Sequence, residues 1–189
     1  VGMNVCSLWK NNAGHFGWAC ISPYDENRPV LGYYDEGNPE TADWEIKFMA
    51  EHGIDVQAFC WYANVANGPI KVPYLSDQLH DGYQVSKYED YMKYCLIFEA
   101  GSGTKFNAKQ FRDHVIPYWF ENYFLDERYM TIENQLVLPI FGANNLSNAD
   151  YFGSVAGVKK EFDYLEEVAR SYGFDGVLFF SCGSSSDTL

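Results

Sequence analysis

Five apolar runs recur along the chain, at residues 1–9, 54–62, 93–100, 136–142 and 174–182, and from the second onward their starts lie 39, 43 and 38 residues apart. That interval holds one strand, one helix and two short connections. A chain on such a beat lays its strands in parallel and returns between them through helices. In folds of this kind ligands meet the carboxyl ends of the strands, which directs attention to Trp61, Tyr62, Glu99 and Asn144.

The segments between the runs carry matching signals. Asn38 is placed to cap a helix, Pro39 suits its first position and Gly53 ends it. Within that helix Trp44, Phe48 and Glu51 fall on one face, and Ile46, Met49 and Ala50 on the other. The junction His52-Gly53-Ile54-Asp55 is echoed by Tyr172-Gly173-Phe174-Asp175, in which a helix again stops on a glycine just before a strand. A helix over 108–123 puts Phe111, Val115, Tyr118 or Trp119, and Tyr123 on one face, with a kink at Pro117. The last helix places Val158, Phe162, Leu165, Val168 and Tyr172 inward and Lys159, Glu161, Glu166 and Glu167 outward. Glu133-Asn134 reads as the turn of a small hairpin joining 129–132 to 135–141. The connection 64–92 is loop-rich, with short helical pieces near 75–80 and 86–91. The stretch 10–37 is too long for a simple connection and is expected over the mouth of the fold.

Five strands and four helices do not close an eightfold barrel, which takes about 250 residues. The expected architecture is therefore α/β: a (β/α)8 TIM barrel that is incomplete in this chain, about five β/α units forming a single domain over 1–189. An open five-stranded sheet is the alternative. The polar stretch Gly183-Ser184-Ser185-Ser186-Asp187-Thr188-Leu189 brings no further helix. A barrel fragment leaves apolar strand edges bare, so the other half is expected from the same polypeptide or from a partner chain.

Composition narrows the partners. Among 189 residues the formal net charge is −13, which repels phosphate and lacks the basic stripe that nucleic-acid binding requires. No apolar stretch is long enough to span a membrane, and no export leader is visible; the compartment stays open, with a periplasmic or extracellular place favoured over the cytoplasm. The five cysteines form no C-x-x-C pair, and Cys6, Cys60, Cys95 and Cys182 fall in expected strands as small buried hydrophobes, leaving Cys20 in a loop. His15, His52, His80 and His114 lack a metal-like spacing, so neither a metal nor another cofactor is expected. The loop Gly101-Ser102-Gly103-Thr104-Lys105 lacks the order of a phosphate-binding loop. Asn145-Leu146-Ser147 matches a glycosylation acceptor, a pattern common by chance. The 15 Tyr, 14 Phe and 5 Trp exceed ordinary usage. Cores absorb part of that excess; the rest suits a ligand with flat C–H faces, such as a pyranose.

Several stretches, taken in order, resemble a known family. They are Arg28-Pro29-Val30-Leu31-Gly32-Tyr33-Tyr34-Asp35, His52-Gly53-Ile54-Asp55, Phe59-Cys60-Trp61-Tyr62, Lys93-Tyr94-Cys95-Leu96-Ile97-Phe98-Glu99, His114-Val115-Ile116-Pro117-Tyr118-Trp119 and Asp126-Glu127-Arg128-Tyr129. Together they resemble glycoside hydrolase family 99 and the related WbsX-like proteins of polysaccharide gene clusters. The resemblance implies a (β/α)8 barrel of bacterial type that hydrolyses α-mannoside-like linkages inside a glycan chain, with retention of configuration. It implies an oligosaccharide or polysaccharide as partner. In those hydrolases the catalytic carboxylates form a Glu-x-x-Glu pair late in the barrel, and no such pair in that context occurs here. Two other readings stand beside this one: a glycosyltransferase-type protein of polysaccharide assembly, which the WbsX-like branch suggests, and a catalytically silent carbohydrate-binding module.

Glu99 is the expected catalytic residue of the visible part, since it ends the third strand before a glycine-rich loop and can hydrogen-bond a sugar hydroxyl or act as a base toward it. The resemblance places an early-strand acid near the scissile bond at that point. The bland alternative is a carboxylate that caps the loop or pairs with Lys105. Trp9, Trp61 and Tyr62 end strands and are expected to wall the sugar, although strand alternation lets at most one of Trp61 and Tyr62 point wholly into a pocket. Asn144, beside Asn145, offers an amide to vicinal hydroxyls or else shapes a turn. Tyr34 and Asp35, before the first helix, complete the expected binding set, though a turn bond beside Gly37 also accounts for Asp35.

Overall fold

The structure, a computed structural model, describes residues 1–10, 17–65, 68–70, 73–101 and 105–182. Residues 102–104 of the glycine-rich loop, His15 with its neighbours and the polar stretch from Gly183 lie outside the described residues. Among the described residues there are six strands: β1 (Gly2–Val5), β2 (Val56–Trp61), β3 (Lys93–Glu99), β4 (Thr131–Ile132), β5 (Gln135–Phe141) and β6 (Gly176–Cys182). Their order is β1-β2-β3-β5-β4, with β6 also on β5. β1 with β2, β3 with β5 and β5 with β6 pair in parallel, while β4 and β5 form the expected antiparallel hairpin. This is a parallel sheet with alternating helices, the arrangement of a partial (β/α) barrel. The strands match the apolar runs, except that the first is cut to four residues.

The chain divides into two compact units, Val1–Phe59 with Leu75–Lys93, and Cys60–Tyr74 with the residues from Tyr94 on. In the first, β1 and β2 run in register from Gly2 opposite Val56 to Val5 opposite Phe59. Helix α1 (Pro39–Glu51) starts as expected, with the Asn38 side chain accepting from the Glu40 N–H at 2.9 Å. It leaves through Gly53 at φ 74°, a left-handed conformation that a side chain would strain. Ile46 and Met49 are buried, whereas Trp44, Phe48 and also Ala50 are exposed. The second crossover coils through a π turn at Gln78–Gly82 and 3-10 turns at Tyr83–Val85 and Glu89–Tyr91.

In the second unit, β3 and β5 pair directly only at Phe98 with Ile140 and Glu99 with Phe141. Lower down, residues 128–130 slip between them: Tyr94 N–H donates to the Arg128 carbonyl and Met130 N–H to the Tyr94 carbonyl. The hairpin turn is made by Glu133 and Asn134 at φ 50° and 59°, the left-handed pair that a two-residue turn requires. The expected helix over 108–123 is continuous from 108 to 124, with α2 (Ala108–Gln110) and α3 (Ile116–Trp119) alternating with π turns at Phe111–Val115 and Phe120–Phe124. Pro117 has no N–H for the carbonyl four residues back, and the chain widens around it instead of merely kinking.

Helix α4 (Val155–Ser171) buries Glu161, Leu165 and Ala169. This corrects the expected face: Glu161 is inside and Tyr172 exposed. The reason is Arg112, whose guanidinium grips Glu161 through two bonds of 2.6 and 2.9 Å and satisfies the buried charge. The cysteine expectation holds only for Cys95. Cys6 lies exposed past the end of β1, and Cys60 and Cys182 are half-buried.

The apolar centre of this unit is aromatic. Phe98 lies 5.2 Å from Trp119 and 5.7 Å from Phe106, and Trp61 lies 5.2 Å from Trp119 and 6.4 Å from Phe98. Stacked and edge-on rings of this kind fill the space between sheet and helices without voids.

Candidate functional site

Strand alternation sorts the carboxyl ends of the second unit into two faces. Trp61 and Phe98 share the helix-facing side, so Trp61 is a core residue, 2% exposed, with its indole N–H donating to the Tyr123 hydroxyl at 3.3 Å. Tyr62 and Glu99, next along their strands, therefore face the opposite side. Register adds Phe141 beside Glu99, and Cys182 beside Phe141. Tyr62 is half-buried and Phe141 half-exposed, so the two rings frame this end of the sheet.

Glu99 is 6% exposed, and its Oε1 accepts the Gly101 N–H at 2.9 Å. Lys105, its alternative partner by sequence, binds Asp150 instead at 2.6 Å. The backbone runs close to this carboxylate at two glycines. A Cβ on Gly101 would lie 3.0 Å from Glu99 Oε1 and 3.4 Å from Asn145 Nδ2; one on Gly142, at φ 69°, would lie 3.1 Å from that same Nδ2. Carboxylate and amide thus flank one methyl-sized space. Tyr151 adds a phenol whose pKa is raised by burial and then by the negative charge of Glu99 and Asp150, so it stays protonated as a donor. An acceptor, an amide and a phenol at the strand ends form a set suited to polyols.

Asn144 does not join this group. It is exposed and lines an apolar cavity of about 420 Å³ against α4, its carbonyl accepting from Ser147 Oγ at 2.9 Å. The Cys95 thiol is pushed up to about 12, chiefly by burial and then by Cys182, and so is no nucleophile at neutral pH.

The first unit holds Trp9, Tyr34 and Asp35. The Trp9 and Tyr34 rings lie 5.9 Å apart, and the Tyr34 carbonyl accepts the Trp18 indole N–H at 2.7 Å. Asp35 Oδ1 accepts the Gly37 N–H at 2.9 Å, the local turn bond, and also lines a polar cleft of about 380 Å³ with Lys10, Asn38, Asp77 and Asp81. Beside them lies a buried polar chain that residue spacing did not reveal. Ser7 Oγ donates to Glu36 at 2.8 Å, Gln78 N–H donates to Ser7 Oγ at 3.2 Å, and Gln78 Nε2 donates to Glu45 at 3.0 Å. Burial raises the Glu36 pKa against the pull of its hydrogen bonds. It raises Glu45 likewise, and Tyr34 is raised by burial and then by the charges of Glu45 and Glu36.

Among the described residues no group of three or more His, Cys, Asp or Glu is placed to hold a metal ion, and no helix is long and apolar enough to cross a membrane.

These features define a parallel β/α protein of the partial-barrel type with a polar cluster at strand carboxyl ends. Two solved structures of a GH99 endo-alpha-mannosidase from Bacteroides thetaiotaomicron share that fold. One, in complex with BIS-TRIS-propane, superposes with a TM-score of 0.53 at 12% identity, covering 95% of this chain and 68% of that one. The second gives 0.50 at 13% identity, covering 95% and 69%. No protein-family model matches the sequence, and no curated protein matches it.

Proposed function

We propose that the protein acts on a glycan, and that the complete protein hydrolyses α-mannoside-like linkages within the chain with retention of configuration. The observation that supports this reading most is the Glu99 cluster. A buried carboxylate at the end of a central strand stands beside the Asn145 amide, with the Tyr151 phenol within reach of its charge, in a fold shared with endo-alpha-mannosidase structures. In the proposed chemistry Glu99 accepts a hydrogen bond from a ring hydroxyl next to the scissile bond. That bond strengthens as the oxocarbenium-like charge develops, so it lowers the barrier more than it tightens ground-state binding. Asn145 donates to a neighbouring hydroxyl, and Tyr62 and Phe141 offer ring faces.

The set Trp9, Tyr34 and Asp35 is proposed to contact glycan through its own polar cleft, and residues 1–189 are proposed as one part of a barrel domain. A carbohydrate-binding role without catalysis is the second reading, and a full-length protein without a Glu-x-x-Glu pair would favour it.

The test is Glu99→Gln in the full-length protein, assayed on α-linked mannooligosaccharides by release of new reducing ends and by the anomer first formed. A loss of turnover of about tenfold or more is expected, the lower edge of what a placed acid or base contributes. Unchanged kinetics would make Glu99 a scaffold residue. Binding without any cleavage by the wild type would favour the second reading.

A further inference from the structure

We propose a second glycan-binding site on the outer surface of the first unit, in the groove between α1 and the 3-10 turn at Glu89–Tyr91. The groove has a volume of about 320 Å³ and is lined by Ile46, Lys47, Ala50, Glu51, Tyr88 and Tyr91. Tyr91 is 74% and Tyr88 47% exposed, and their rings stand 6.1 Å apart at 62°. The two rings stand largely in water, and the buried Ile46 lies at the base of the groove.

Size and charge choose the occupant. The volume falls at the low end of small-ligand pockets, which run from about 300 to 1,000 Å³. Lys47 and Glu51 at the rim pair at 2.6 Å, so the groove is neutral and favours neither an anion nor a cation. The Lys47 ammonium is also held 5.9 Å from the Trp44 ring and 6.0 Å from the Phe48 ring, which fixes its position. A neutral ligand with a flat C–H face for the tyrosines and hydroxyls for the ammonium and carboxylate meets every wall, and that is a pyranose. The groove lies between the β1-to-β2 and β2-to-β3 connections, so it is not a face that a further strand pairing with β1 or β6 would cover. The site rests on the glycan reading for its ligand class but uses none of the strand-end residues.

The experiment is affinity gel electrophoresis of the full-length protein in gels containing soluble α-mannan. The variants are Tyr91→Ala, Tyr91→Phe, Tyr88→Ala with Tyr91→Ala, and Glu99→Gln, each checked for an unchanged thermal midpoint. The double alanine variant is expected to weaken retention at least about fivefold, what loss of two ring contacts of at least about 0.5 kcal/mol each implies. Tyr91→Phe is expected to keep most of it, because the ring face makes the contact. Retention unchanged in the double variant, or lost only in Glu99→Gln, overturns the surface site and leaves the strand-end reading standing. Absence of retention in the wild type also overturns it, while reducing-end release, measured separately, decides the hydrolase reading.

Discussion

Tyr129 donates its hydroxyl proton to the Val137 carbonyl at 2.8 Å, across the gap where β3 and β5 do not pair directly. The same oxygen accepts the Leu96 N–H at 3.3 Å. One phenol thus stands in for missing ladder bonds between the two strands that carry Glu99 and Phe141. Tyr129→Phe leaves a buried N–H and a buried carbonyl short of a partner. A loss of about 1–3 kcal/mol in urea unfolding is expected, and an unchanged midpoint would mean that the backbone closes the gap itself.

Gly142→Ala is expected to disturb the site more than the fold. The left-handed φ of 69° costs the variant about 1 kcal/mol, and the new Cβ meets Asn145 Nδ2 at 3.1 Å. Turnover on mannooligosaccharide should fall beyond what the shifted melting midpoint explains, whereas equal turnover would remove Asn145 from the site.

Much of this architecture was legible in the residues. The 38–43-residue beat, the Asn38-Pro39 start, the Gly53 exit and the Glu133-Asn134 turn each depend on local chemistry, and each stands where it was read. What failed depended on partners far away in sequence. Glu161 looked like a solvent residue because nothing near it announces Arg112, 49 positions earlier. Pattern placed Trp61 at a strand end, but only Phe98 and Trp119 decide that its ring is core. The Glu99 carboxylate was visible as a strand terminus. Tyr151, whose phenol feels its charge, lies in a connection whose path no periodicity predicts.

Glu36 has its pKa raised above the usual 4.5 by burial. The folded state then holds the proton more tightly than the unfolded one. The stabilising contribution is complete below the ordinary carboxyl value and is lost as pH rises through the raised one. Glu36→Gln can still accept from Ser7 and lacks that loss. Its stability relative to wild type should therefore improve in urea titrations as pH rises from the ordinary carboxyl value through the raised one. A constant difference across that range would contradict the raised pKa.

Arg112→Ala strands the Glu161 carboxylate inside α4 packing. The cost expected near neutral pH is the lower end of the about 3–5 kcal/mol found when one member of a buried pair is removed, since the Arg112 side chain is itself one-third exposed. Arg112→Lys, which keeps a positive charge beside Glu161, should recover part of the deficit. A deficit that Arg112→Lys leaves whole would point to lost packing of Arg112 on the Tyr164 ring, 4.5 Å away.

The β5–β6 ladder aligns seven consecutive residue pairs, from Gln135 with Gly176 to Phe141 with Cys182. A slip of a single position in β5 would swing Phe141 toward the helices and present Ile140 beside Glu99 in its place. The accuracy of the carboxylate's surroundings is thus inherited from a seam on the far side of β5, and substitutions there can silence the rim without touching it.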